Sequence, residues 1–305
     1  MKEILCAPLQ GFTDRAWREA HADLYRELRV EPPRYCAPFA RVEKGIVRPR
    51  DIREVKGDAN VLPQAIFKDL RELDLIAEAM SSVGHTHLDL NLGCPFPPQV
   101  KAGRGAALIL NPTMLSEVAR WMEERTDMTF SIKMRPGVRE ADEWKGVVDI
   151  INSMPLANVT IHPRIAVQGY KGDVDMDTFA EMLTAIAHPV IFNGNILTPS
   201  DASMIADRFP TISGLMIGRG MLMRPTLAAE IARGEEQSPE SRADAWIELL
   251  RRVGEKISES SAGDAQALAR LRPRLEYADE ELLGHKYIKS LKKASNLDKF
   301  LNILG

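Results

Sequence analysis

Cys94 ends a short β-type run in Asn91-Leu92-Gly93-Cys94-Pro95, and the Gly-rich stretch Lys101-Ala102-Gly103-Arg104-Gly105-Ala106-Ala107 follows it. A thiol in that place is exposed, and with an ordinary pKa near ~8.5 it is protonated at neutral pH, so it can donate a proton without special activation. Lys133 lies inside the apolar run Phe130-Ser131-Ile132-Lys133-Met134. Burying an ammonium without a partner is costly, so an anionic partner is implied unless that strand face is solvated. Asn193-Gly194-Asn195 and Gly218-Arg219-Gly220 combine glycines that admit close backbone approach with an arginine that supplies charge. That composition suits a phosphate, although ordinary turn glycines would look the same. Gln64, Asn91, Arg135, His162 and Arg164 complete the polar set. No His/Asp pair stands near Cys94 in sequence to make a protease-like thiolate, and the Cys and His spacing does not match a zinc site, so no metal is expected.

All of these residues fall in, or just after, short apolar runs. We count eight: Ile4–Pro8, Arg34–Phe39, Leu62–Phe67, His87–Leu92, Thr129–Met134, Asn158–His162, Pro189–Asn193 and Gly214–Ile217. The segments Leu70–Ser82, Thr113–Glu124, Asp142–Ser153, Asp177–Ile186 and Thr198–Phe209 carry apolar residues at three- and four-residue spacing, the period of a helix. Asn111-Pro112-Thr113 and Thr198-Pro199-Ser200-Asp201 read as helix starts. Strand alternates with helix, and no GxGxxG follows the first run as a doubly wound sheet would require. Eight such units in roughly 230 residues fit a (β/α)8 TIM barrel, whose strand C-termini converge on one mouth and whose phosphate sites commonly follow strands seven and eight.

After Pro225 the pattern changes. Gly234-Glu235-Glu236-Gln237-Ser238-Pro239 reads as a polar linker, and Trp246, Leu249, Leu250, Val253 and Leu282–Leu304 as helices beyond it. Residues 1–234 are therefore taken as a barrel domain and 235–305 as a small C-terminal helical domain. The chain has 305 residues, 45% apolar, which is material for a full-sized core and excludes disorder, collagen and a membrane bundle. Its three cysteines are too few for a disulfide framework; Cys6 and Cys36 fall in apolar strands and read as small core residues. MKEILCAPLQ carries no long apolar stretch, so neither a secretion signal nor a membrane anchor is expected, and the cytoplasm is the expected address. Forty basic against 43 acidic residues give a net charge of −3, so any RNA partner must be held by a local patch. Lys286, Lys289, Lys292 and Lys293 with His285 form one candidate, and Arg270, Arg272 and Arg274 extend it.

A strand lysine beside a bound flavin would stabilise the negative charge of the reduced ring, with Gln64 at the pyrimidine edge. At these residues the chain resembles the tRNA-dihydrouridine synthases, flavin enzymes that reduce specific uridines in tRNA. The resemblance runs through Ala7-Pro8-Leu9-Gln10-Gly11-Phe12-Thr13-Asp14, Leu90–Pro95, Lys133–Gly137, His162-Pro163-Arg164, Gln168-Gly169-Tyr170, Asn193–Ile196 and Gly214–Gly220, almost the whole barrel. His285-Lys286-Tyr287-Ile288 resembles the family's RNA-binding domain. The resemblance implies an FMN site of Pro8, Leu9, Gln10, Gln64, Lys133, His162, Asn193, Gly194, Asn195, Gly218 and Arg219, with Cys94 as catalytic proton donor. It places Arg41, Asn91, Arg164 and Tyr170 near the uridine and Lys286 on the tRNA. Leu9 replaces the usual Met, Pro163 the usual Gly and Asn195 the usual acidic residue. The implied reaction takes hydride from NADPH (or NADH) through FMN to carbon 6 of a D-loop uridine while Cys94 protonates carbon 5, in a monomeric enzyme. The short N-terminal segment and Phe39-Ala40-Arg41-Val42 lean toward the bacterial subgroup called DusC. An FMN-dependent oxidoreductase of a free pyrimidine such as dihydroorotate would use the same barrel groups without needing the basic tail. A non-catalytic tRNA-binding barrel would be colourless.

Overall fold

The computed structural model describes residues 3–305. Eleven strands appear among them: β1 (Glu3–Cys6), β2 (Arg34–Cys36), β3 (Val42–Glu43), β4 (Ile46–Val47), β5 (Val61–Leu62), β6 (Gln64–Ala65), β7 (His87–Leu92), β8 (Thr129–Met134), β9 (Leu156–Ile161), β10 (Val190–Asn193) and β11 (Gly214–Ile217). The main sheet runs β5-β2-β1-β11-β10-β9-β8-β7-β6, with parallel pairings throughout. β5 and β6 are the two halves of one strand broken at Pro63, so the two ends of that order meet and the sheet closes into a barrel. Proline has no N–H for the ladder. Its carbonyl still accepts from the Asp89 amide at 2.9 Å, and each half pairs with a different neighbour.

All eight expected strands are present, several of them shorter than their apolar runs. Their residues alternate in the way a barrel wall demands. On β7, Leu88, Leu90 and Leu92 belong to the core packed against the outer helices, while Asp89 and Asn91 bond to groups on other barrel strands. Leu5, Ala7, Cys36, Leu62, Ile191 and Met216 form a separate apolar cluster contributed by β1, β2, β5, β10 and β11. Cys6 and Cys36 are buried and unpaired, as core residues.

The outer helices begin where capping chemistry puts them. Asp14, Asp69, Asn111 and Asp175 accept from the first-turn amides of Arg15–Glu27, Leu70–Ser81, Pro112–Glu123 and Met176–Ala185, and Thr198 with Asp201 closes a capping box on Pro199–Arg208. The expected helix over Asp142–Ser153 is instead a 3-10 turn, Glu143–Gly146, followed by the short helix Val148–Ser153. The Glu143 carboxylate is drawn away to the amides of Val138 and Arg139, and Val147 leaves the helical region at φ −132°. The hairpin β3–β4 has no counterpart among the expected elements. Its turn uses Lys44 and Gly45, both at positive φ, the pairing a two-residue hairpin requires.

Beyond Gly234, which ends the preceding helix in the left-handed conformation, the chain is helical. Helix Pro239–Ser260 lies along Arg15–Glu27 and buries Trp246, Leu249, Leu250, Val253 and Ile257, at helical spacing, in the same apolar core as the barrel. Among the described residues no helix is long and apolar enough to cross a membrane.

Candidate active site

A cavity of about 130 Å3, partly open to solvent, lies at the C-terminal ends of the barrel strands. Asn91, the last residue but one of β7, turns the chain: its Oδ1 accepts from the amides of Gly93 (3.1 Å) and Cys94 (2.8 Å). The Phe96 amide donates to the Cys94 sulfur. Burial pushes the Cys94 thiol up from its ordinary pKa, against the lowering effects of that amide, Arg135 and Lys133. The sulfur is therefore a protonated group facing a cavity, the state a proton donor needs.

The rest of the cavity wall is cationic. Lys133 donates from Nζ to Asn193 Oδ1 at 2.8 Å, and Asn193 in turn donates to the Met216 carbonyl. Desolvation and the neighbouring Arg135 lower the Lys133 pKa to about 8. Arg164 donates from Nη1 to His162 Nε2 at 3.0 Å, so that nitrogen carries no proton and His162 holds its hydrogen on Nδ1. Burial and the surrounding cations hold His162 well below the usual histidine range, hence neutral. Arg219 lies over the Tyr170 ring at 5.1 Å and shares Asn195 Oδ1 with Arg164. Lys133, Arg135, Arg164 and Arg219 line the cavity together, and no carboxylate is among the lining residues. Four cations against one cavity, in a chain of net charge −3, make a cradle for an anion.

The chain matches the model of the family described as dihydrouridine synthase over residues 5–298. The chain belongs to the dihydrouridine synthase family. It is 27% identical over 238 residues to tRNA-dihydrouridine synthase B of Pseudomonas putida, covering 75% of this chain and 67% of that one. To a probable tRNA-dihydrouridine synthase of Staphylococcus aureus it is 27% identical over 263 residues, covering 81% and 75%. Among solved structures it superposes on an old yellow enzyme from Trypanosoma cruzi with a TM-score of 0.53 at 12% identity, over 77% of this chain and 89% of that one. On histamine dehydrogenase from Rhizobium sp. 4-9 the TM-score is 0.55 at 10% identity, over 83% and 49%. At those identities the likeness is one of fold. As a member of that family the chain is a dihydrouridine synthase, built on a TIM barrel.

Thirteen of the residues to which the resemblance gives a role line the synthase's cavity together: Pro8, Leu9, Gln10, Asn91, Cys94, Lys133, His162, Arg164, Tyr170, Asn193, Gly194, Gly218 and Arg219. Four do not. Gln64 is 1% exposed, and its amide is engaged by Asp89 and Asn91. Asn195 is exposed, and its Oδ1 accepts from both Arg164 and Arg219. Arg41 follows β2 and meets Glu43 at 3.6 Å. Lys286 is exposed on helix His285–Lys293 of the tail. Of the arginines in the expected basic patch, Arg274 is 5% exposed and pairs with Asp14 at 2.9 Å, Arg270 also pairs with Asp14, and Arg272 donates to the Ala294 carbonyl. These three hold protein to protein.

Arg135 does more than its sequence position suggests. It donates from Nε to the Gly93 carbonyl and from Nη1 and Nη2 to the carbonyls of Arg164, Ile165 and Gly169, tying the Cys94 turn to the loop that carries Tyr170. Gly105 is a further site residue that sequence reasoning does not single out, although its Gly-rich stretch is plain in the chain. At φ +60° it packs so closely that a Cβ there would meet the Cys94 Cβ at 2.8 Å and the Cys94 carbonyl at 2.9 Å. Gly105→Ala is expected to cost about 1–3 kcal/mol of stability through left-handed strain and overpacking. Because the clash falls on Cys94, dihydrouridine formation should drop further than flavin content does; unfolding curves, flavin absorbance and product yield on one preparation check this.

Proposed function

We propose that this synthase reduces a poorly stacked uridine of the tRNA D-loop to 5,6-dihydrouridine, with NADPH as reductant and Cys94 as the proton donor. The observation that carries the reading is a protonated thiol facing the same cavity as an acid-free cationic wall. FMN supplies, when bound, the hydride for carbon 6 of the base. Lys133, His162, Asn193, Gly194, Gly218 and Arg219, with Pro8, Leu9 and Gln10, would hold it; the cations answer its phosphate and the negative charge of the reduced ring. Gln64 would act through Asn91, and Asn195 through Arg219. Cys94 Sγ gives its proton to carbon 5 and recovers one from solvent, so hydride and proton together saturate one double bond.

Asn91, Arg164 and Tyr170 would contact the uridine, with Arg41 near the target base. Extruding that base costs a few kcal/mol, least where stacking is already weak, which favours a loop nucleotide. We assign residues 1–234 to catalysis and 235–305 to tRNA binding, in a monomeric, metal-free, cytoplasmic enzyme. The test is direct: the purified protein should be yellow, and tRNA from cells lacking it should lose dihydrouridine at one mapped position that the protein restores with NADPH. Turnover of free uracil or orotate in place of tRNA would reverse the reading.

Lys286, Lys289, Lys292 and Lys293 are exposed on His285–Lys293, whose buried side carries Ile288 and Leu291. Lys292 meets Glu280 at 3.4 Å, which partly neutralises it. Exchanging Lys286, Lys289 and Lys293 for Glu is expected to weaken tRNA binding and flatten the log K against log salt plot by about 0.7–0.9 for each phosphate no longer neutralised. Flavin content should not change, and binding titrations across a salt series read the slope.

A further inference from the structure

Asp89 is 1% exposed, does not line the cavity, and has no part in the chemistry above. Two hydrogen-bond chains end on it. From the Cys94 side, the amides of Gly93 and Cys94 donate to Asn91 Oδ1, Asn91 Nδ2 donates to Gln64 Oε1 at 2.6 Å, and Gln64 Nε2 donates to Asp89 Oδ2 at 2.7 Å. From the other side, Arg34 donates to His87 Nδ1 at 3.3 Å, His87 Nε2 lies 3.2 Å from Ser131 Oγ, and Ser131 donates to Asp89 Oδ1 at 2.7 Å. The direction of both chains is fixed by their ends. Backbone amides and guanidinium groups only donate, and an ionised carboxylate only accepts. Each amide between them has one donating and one accepting end, so a single head-to-tail arrangement satisfies every group. The two chains arrive at different carboxylate oxygens, and an uncharged amide at position 89 would put an NH2 donor in place of one of them, so it cannot accept from both chains where they arrive.

We propose that Asp89 is a positioning residue: as the common acceptor of both chains it fixes the orientation of Gln64 and Asn91, and through Asn91 Oδ1 the turn that presents Cys94. The proposal rests on the role given above to Cys94. It predicts a reversal of sign between two substitutions. In Asn91→Asp the chain has a carboxylate at each end, and Gln64 must turn its oxygen toward one of them. Dihydrouridine formation should then fall about 10- to 100-fold, the scale of a misplaced reacting group. The unfolding midpoint should fall with it.

Adding Asp89→Asn to Asn91→Asp moves the carboxylate from one end of the relay to the other. The amide introduced at position 89 then donates to Gln64 Oε1, Gln64 donates to position 91, and Ser131 still has an acceptor. Asp89→Asn is thus expected to lower the unfolding midpoint in the wild-type background and to raise it, together with product formation, in the Asn91→Asp background. The amides of Gly93 and Cys94, followed by hydrogen exchange on the same proteins, should lose protection in Asn91→Asp and regain it in the double variant. If Asp89 only fills space or charge, Asp89→Asn adds its damage to that of Asn91→Asp, and this result overturns the proposal. Should Asn91→Asp fail to fold, recovery of a folded protein by Asp89→Asn supports the relay, and failure of the double variant refutes it. Unfolding and exchange do not depend on turnover, so full product from Cys94→Ala would sink the role of Cys94 while leaving the relay to be judged on its own readouts.

Discussion

Cys94→Ala is expected to keep its flavin, to oxidise NADPH, and to form dihydrouridine about 10²–10⁴-fold more slowly than the parent, the usual contribution of a positioned general acid. The substitution removes one sulfur from a turn whose backbone is held independently, by Asn91 Oδ1, by Arg135 on the Gly93 carbonyl, and by the Ala106 amide on the Cys94 carbonyl. Nothing on the cationic wall depends on the thiol. Reduction of the cofactor and its reoxidation by tRNA therefore separate in a stopped-flow experiment, with only the second step affected. Equal product yields from parent and variant would remove Cys94 from the chemistry. Burial raises the thiol pKa above its ordinary value, so the step served by Cys94 should not fail as pH rises from about 6 toward 8.

Lys133→Met should weaken FMN binding by about 1.5–3 kcal/mol, the range for hydrogen bonds to a charged partner, a loss of roughly 10- to 150-fold in affinity. The same position gives a pH signature. In the ligand-free protein Lys133 titrates at about 8, lowered by desolvation and Arg135. An anion at the cavity stabilises the ammonium and raises that pKa, so binding takes up a proton when the lysine starts neutral. Affinity is then full below pH 8 and declines as pH rises above it, by up to about tenfold per unit. Lys133→Met should bind weakly with no such decline between about pH 7 and 9. Titration of apoprotein with FMN at several pH values distinguishes the two, and an equally steep decline in the variant would place the titrating group elsewhere.

Much of the site is legible in the chain because a (β/α)8 barrel turns linear order into spatial convergence: whatever follows a strand arrives at one mouth. Asn91 to Cys94, Lys133, His162 to Arg164, Asn193 to Asn195 and Gly218 to Arg219 follow or end successive strands, and their meeting needs no other information. The alternation of β7 also carries a signal for Asp89. It lies two residues before Asn91, hence on the same side of the strand, and a carboxylate there is as odd as a lysine at 133.

Sequence by itself determined that strands and helices alternate, that a thiol and a set of cations share the barrel mouth, and which family's signature they spell, because period and order are local properties. The tertiary structure alone decided which charges remain available to a ligand. Arg270 and Arg274 look like RNA-binding residues until the fold brings Asp14, some 256 and 260 positions away, against them. Gln64 looks like a cofactor ligand until Asp89 and Asn91 take both ends of its amide. A hydrogen bond or ion pair spends a polar group only when its partner is within about 3–4 Å, and partners distant in the chain reach that range only through the closed barrel and the packing of the tail.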